Sequence, residues 1–160
     1  MSRFERLFLF ILLSLGIFGC GENRPDGLPK LYPVSLQFTQ DGIPCNGASV
    51  HLVPLEEIVW AIGGSTDANG TVVFKTHGKF AGVPAGKYKV TVSKTEREEI
   101  GPTPQSIYES QEIVFYDLVE QVYSNPKMTP LEIEVVAGKK LSKSFELGKA
   151  IRVKMVKPGE

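Results

Sequence analysis

A chain of 160 residues with 18 basic and 18 acidic side chains has no net charge, and no basic patch is visible along it, so nucleic acid is excluded as a partner. Two cysteines and two histidines are too few for a disulfide scaffold or a Cys/His zinc site. Sixteen glycines and 11 prolines point to many turns, and the length suits one domain plus a tail.

Arg3 and Arg6 precede an apolar stretch over residues 7–18, broken only by Ser14 and Gly16. A membrane-spanning helix needs about 20 apolar residues, so this run is too short to cross comfortably and reads as a secretory leader. Taken alone it fits a plain secretory signal or an uncleaved anchor. Ile17-Phe18-Gly19-Cys20 resembles the bacterial lipobox: an aliphatic residue, a variable one, a small one, then Cys. In that family the Cys thiol receives a diacylglyceryl group, the leader is cut before it, and the new amine is acylated. The resemblance implies a signal peptide over 1–19, lipidation at Cys20, and a membrane as partner through that anchor. Two or more acyl chains hold a protein on a bilayer where one does not, each buried CH₂ contributing about 0.8 kcal/mol. Gly21 is not the Asp that keeps well-studied relatives at the inner membrane, so the resemblance favours the outer membrane of a bacterial envelope. Residues 20–30 are polar and rich in Gly and Pro, and read as a lipidated tether.

Strand patterns follow at once. Val34, Leu36 and Phe38 alternate with Ser35, Gln37 and Thr39, the period-2 signal of a half-buried strand, and Asp41-Gly42 supplies a turn. Residues 48–53 put Ala48, Val50 and Leu52 on one face, with Ser49 and His51 on the other, and Pro54 ends the run. Residues 60–66 form a third segment, weakened by Gly63-Gly64. Asn69-Gly70 then gives a hairpin turn leading into 71–76, where Val72 and Phe74 share a side. Residues 87–94 point Tyr88, Val90 and Val92 inward and Lys87, Lys89, Thr91 and Ser93 outward.

Residues 95–128 break this rhythm as an insert. Its opening TEREEIGPTP is charged and turn-rich and predicts an exposed loop. Ser106-Ile107-Tyr108-Glu109 fits a capping box, and Phe115, Leu118 or Val119, and Val122 recur at helical spacing. The run Ile113-Val114-Phe115-Tyr116 also suits a strand. A short helix over about 110–122 is the preferred expectation. Strand rhythm resumes with Leu131, Ile133 and Val135, then Leu141, Phe145 and Leu147, then Ile151, Val153 and Met155. Turns every 8–12 residues or so predict an all-β sandwich of seven or eight strands over 31–156, with 157–160 as a tail.

Three signatures carry a family resemblance. Residues 41–50 (DGIPCNGASV), 66–74 (TDANGTVVF) and 83–92 (VPAGKYKVTV) are similar, in order, to the opening, hairpin and strand of carboxypeptidase regulatory-like, transthyretin-related sandwiches. The resemblance implies a transthyretin-like or Ig-like sandwich. With the lipobox and the later YSNP and TPL segments, the chain resembles small lipoproteins of planctomycete bacteria. That likeness implies architecture and location, and almost no chemistry.

No residue set announces catalysis. Cys45 stands where the resembled motif carries an aliphatic residue, and reads as a small buried side chain. His51 falls on a polar strand face and His77 in a loop. Asp67, Asn69 and Thr71 mimic half a calcium loop but lack a distal carboxylate, so a turn is the better reading. Glu56-Glu57 and Glu96/Glu98/Glu99 have nothing apolar around them to raise a pKa for acid catalysis. No nucleophile elbow or phosphate loop is present. The 5-hydroxyisourate hydrolases among transthyretin relatives end in Tyr-Arg-Gly-Ser, whereas this chain ends VKPGE, so that activity is not expected. The expectation is a non-catalytic, cofactor-free envelope lipoprotein that binds protein or glycan, with Tyr108, Phe115, Tyr116 and Tyr123 as candidate surface residues. The rivals are a structural subunit of an envelope assembly and an enzyme with an unrecognised site.

Overall fold

The computed structural model describes residues 24–101 and 112–155. Almost every element in them is a strand, and α1 (Gln121–Ser124) is the single helix among the described residues. The expected all-β sandwich forms. One layer is a six-stranded antiparallel sheet in the order β13 (Glu132–Val135), β10 (Gly86–Ser93), β4 (Ser49–Pro54), β5 (Ile62–Ser65), β7 (Lys75–Thr76), β8 (Phe80–Ala81). The other centres on β2 (Val34–Gln40). Its partners are β14 (Leu141–Glu146), which runs parallel to it, and the antiparallel β3 (Ile43–Pro44) and β6 (Thr71–Val73).

Period-2 burial explains why these residues pair as they do. Val34, Leu36 and Phe38 on β2, Val50 and Leu52 on β4, Tyr88, Val90 and Val92 on β10, and Ile133 and Val135 on β13 all join one core between the layers. The alternate positions Gln37, Ser49, His51 and Lys87 face solvent. Thr91, expected to point outward, is buried instead.

The run over 71–76 is not one strand. Val72 pairs with Leu36 in one sheet and Thr76 with Ile62 in the other, and the fully buried Phe74 marks the crossing. Such breaks give 15 short strands among the described residues, where the sequence suggested seven or eight longer ones. Turn chemistry holds the hairpins. Asp41 (φ 50°) and Gly42 (φ 74°) join β2 to β3, the left-handed pair that a tight hairpin turn requires. Gly70 (φ 71°) lies so close to β2 that a Cβ would collide with the Phe38 carbonyl oxygen.

β10 relates the two ends of the molecule. Just before it, β9 (Val83–Pro84) pairs with β1 (Leu31–Tyr32), where the chain arrives from residues 24–30. Just after it, beyond Lys94, the chain enters a separate three-stranded sheet: β11 (Thr95–Ile100), β12 (Glu112–Asp117) and β15 (Val153–Lys154). The eight residues of β10 span about 26 Å, so the arriving segment and this sheet leave from opposite ends.

Two expectations for the insert are overturned. Residues 95–100 are a strand and not a loop, and 112–117 are a strand where a helix over 110–122 was preferred. The helical spacing of Phe115, Val119 and Val122 is coincidental. β-branched Ile113 and Val114 beside two aromatics fit a pleated surface better, and only Gln121–Ser124 coils. The capping box at 106–109 lies outside the described residues.

Tyr88 supplies a test of the core. Its ring is fully buried, and its hydroxyl donates to the Pro84 carbonyl oxygen at 2.9 Å. Burial, helped by the Glu56 carboxylate, pushes its phenol up to about 12. The phenol ionises first in the unfolded chain, so its contribution to stability is complete below pH 10 and is lost between about pH 10 and 12. Denaturant melts of wild type should lose roughly 2–3 kcal/mol across that window. Tyr88→Phe should lack this component and be about 1 kcal/mol less stable at pH 7.

Candidate functional site

The three-stranded sheet projects from the sandwich as an arm, and its base is tied to the core. Leu118 N–H donates to the Lys94 carbonyl at 2.9 Å across the two chain crossings. Gln40, buried at the end of β2, donates through Nε2 to the Leu118 carbonyl at 3.0 Å, and its Oε1 accepts from the Cys45 thiol at 3.4 Å.

Register separates the arm into two unlike faces, because directly opposed residues share a side. Arg97 opposes Phe115, Glu99 opposes Ile113, and Asp117 opposes Val153. Met155 N–H donates to the Phe115 carbonyl at 2.8 Å and continues the same row. Ile113, Phe115, Val153 and Met155 therefore form an apolar row, each 39% to 55% exposed, on a face they share with Asp117 and the Arg97–Glu99 ion pair. An exposed apolar row of this kind is a candidate interaction surface.

The opposite face is a charged brace. The Arg152 guanidinium lies 3.6 Å from the Tyr116 ring centroid and donates to Glu96 at 3.1 Å and to Glu98 at 2.5 Å. A planar guanidinium suits this double task of stacking and forked donation. The Arg152 hydrogen bond holds the Glu98 carboxyl below its usual range. Val114 is buried on this side, so the brace also covers apolar surface.

The surface residues named from sequence divide. Phe115 is exposed at the centre of the apolar face. Tyr116 is half-buried beneath Arg152. Tyr123, on α1, packs against the sandwich core. Tyr108 and the lipidation candidate Cys20 lie outside the described residues. Sequence reasoning missed Ile113, Val153, Met155 and Arg152 as parts of one surface. The alternation in 151–155 was visible, but it was not connected with Phe115.

The remaining candidates are spread over the sandwich. Cys45 is buried beside Gln40, and burial pushes its thiol up against a smaller opposing effect of Lys94. That makes it a poor nucleophile at neutral pH. His51 is exposed on β4, while His77 sits in the turn after β7 with its ring edge-on to Trp60, centroids 5.8 Å apart. Asp67 Oδ1 accepts from the Asn69 and Thr71 backbone N–H groups, each at 2.9 Å, so this carboxylate caps the hairpin. Among the described residues no three His, Cys, Asp or Glu side chains gather as a metal site, and no helix is long and apolar enough to cross a membrane. Comparison with protein-family models, curated proteins and solved structures returns no match for this chain.

Arg152→Ala should speed amide hydrogen exchange severalfold in β11 and β12 while leaving β4 and β10 unchanged. Because the Glu98 carboxyl is held below its ordinary value, the brace is present above the normal carboxylate range and is lost as pH falls through it. Protection factors in the wild-type arm, corrected for the intrinsic slowing of exchange in acid, should fall correspondingly toward pH 3 (roughly the lower edge of that range).

Proposed function

We propose that the chain is a lipid-anchored envelope protein that works as a non-catalytic interaction module. In this reading it is a small lipoprotein of the planctomycete type with a carboxypeptidase regulatory-like sandwich. Cys20 carries the lipid, residues 20–30 tether the domain, and the arm takes hold of a partner. The observation that carries the reading is the exposed row Ile113, Phe115, Val153 and Met155 on a braced sheet at the opposite end of β10 from the tether. The lipobox residues Ile17 to Cys20 support the anchor.

A protein partner is favoured over a glycan. Ile113, Val153 and Met155 in the row carry no ring, which suits apolar packing against another protein. Of the named aromatics among the described residues, Tyr116 is already covered by Arg152 and Tyr123 is packed on the core, leaving Phe115 as an open ring. A structural subunit of an envelope assembly would use the same face for a permanent contact, and stoichiometry separates the two.

Mass spectrometry of the protein from its native membrane should find the amino terminus at Cys20 with a diacylglyceryl thioether. An unmodified terminus elsewhere would sink the anchor. A photo-crosslinking residue in place of Ile113 should trap a discrete adduct in whole cells, whereas one at Val59, which is 90% exposed on the sandwich, should not. Phe115→Glu should cut the Ile113 adduct at least tenfold, since a charge inside an apolar contact is costly. Equal adducts at both positions, or no effect of Phe115→Glu, would remove the arm as the contact surface.

A further inference from the structure

We propose that the sandwich surface beside the tether docks on an anionic phospholipid bilayer, so that the domain lies on the membrane with its arm pointing away. This goes beyond the interaction-module reading and rests on its lipid anchor.

Two grooves meet there and share Leu31 and Ala81. One, of about 360 Å³, runs over Val34, Val73 and Phe74 to Lys140. The other, of about 400 Å³, is lined by Arg24, Lys30 and Phe80. Lys79 adds a further cation, with its Nζ 5.4 Å from the Phe80 ring centroid. Every titratable group lining either groove is basic. Arg24, Lys30, Lys79 and Lys140 make no ion pair among the described residues, whereas Arg97, Arg152 and Lys154 on the arm are all paired. Val73 is 66% exposed between these charges. Apolar surface ringed by unpaired cations is what a headgroup layer over an acyl interior accepts.

The charge pattern along the chain gives the orientation. Residues 27–40, 68–95 and 135–145, which converge on the grooves, contain no Asp or Glu. β11 and β12 carry Glu96, Glu98, Glu99, Glu112 and Asp117. The acids at this end of β10 are Asp26, Glu56-Glu57 in the loop after β4, and Glu132 and Glu134, which stand opposite Lys89 and Lys87; none of them lines either groove. An anionic surface therefore attracts one end of β10 and repels the other. The tether adds proximity: Arg24 follows Cys20 by four residues, a reach of at most about 14 Å. An acyl chain at Cys20 would hold the grooves within headgroup range.

The test reconstitutes the full chain into phosphatidylcholine vesicles, with and without phosphatidylglycerol, and follows amide exchange in residues 30–33 and 79–84. The expected result is severalfold protection only in the anionic vesicles, abolished by high salt. Charge reversal at exposed lysines (Lys30→Glu, Lys79→Glu and Lys140→Glu) should weaken the contact about fivefold per cation removed. Equal exchange in both vesicle types, protection in neutral vesicles alone, or protection indifferent to salt would overturn the proposal. Flotation on neutral vesicles reads the anchor separately. If it fails, salt-sensitive flotation on anionic vesicles still reads the basic end, so the two ideas fall independently.

Discussion

The packing of β10 against β2 is the contact on which the rest of the molecule depends. Tyr88, Val90 and Val92 on one strand and Leu36 and Phe38 on the other are fully excluded from solvent within one core. Because side chains alternate along a strand, burying these five positions fixes which neighbours can pair and in which register. β4 and β13 flank β10, and β14 and β6 flank β2. The same constraint sends residues 24–30 off one end of β10 and the arm off the other. A slip of one residue would turn the tyrosine and both valines outward and exchange the two ends of the molecule for different side chains.

How much of this could be read from the residues depended on whether a strand has one wet face. β2, β4, β10 and β13 do, and their alternation was plain. β11 has solvent on both sides: Thr95 to Ile100 reads as a polar run because no layer packs on it. Its strand character comes from β12 and from Arg152, which lies 54 residues away from Glu98 in the chain. Nothing local announces such a partner. In β12 the β-branched pair Ile113-Val114 was in view, yet a chance helical spacing outweighed it. The candidate surface was half visible, since Phe115 was named while its neighbours Val153 and Met155 were seen only as a separate strand. Long-range pairing, which decides faces, is the information a single stretch does not hold.

Electrostatics teaches a similar lesson. Equal numbers of acids and bases suggested an unremarkable surface, yet neutrality of the sum conceals segregation in space. Arg24 and Lys30, Lys79, and Lys140 lie in three separate stretches, none of which is a long basic run. Folding brings them around Leu31 and Phe80, while the acids of β11 and β12 leave at the far end. Within the arm, one guanidinium joins Glu96, Glu98 and Tyr116, so the acidic end is also held in shape. The apolar row on its other side is presented on a stiffened plate, which lowers the ordering cost of any contact made there.

The parallel pairing of β14 with β2 carries a kinetic consequence. Leu141 to Glu146 align with Val34 to Thr39, and the corner beyond is tied by Asp41 N–H to the Gly148 carbonyl and by Ala150 N–H to Asp41 Oδ2. A nascent polypeptide leaving the ribosome thus exposes its first long strand with one edge unsatisfied until nearly all later residues have been synthesised. High contact order of this sort makes folding slow and premature closure improbable. That interval is also when an open edge is most prone to aggregation, so escort by a holdase would suit this topology.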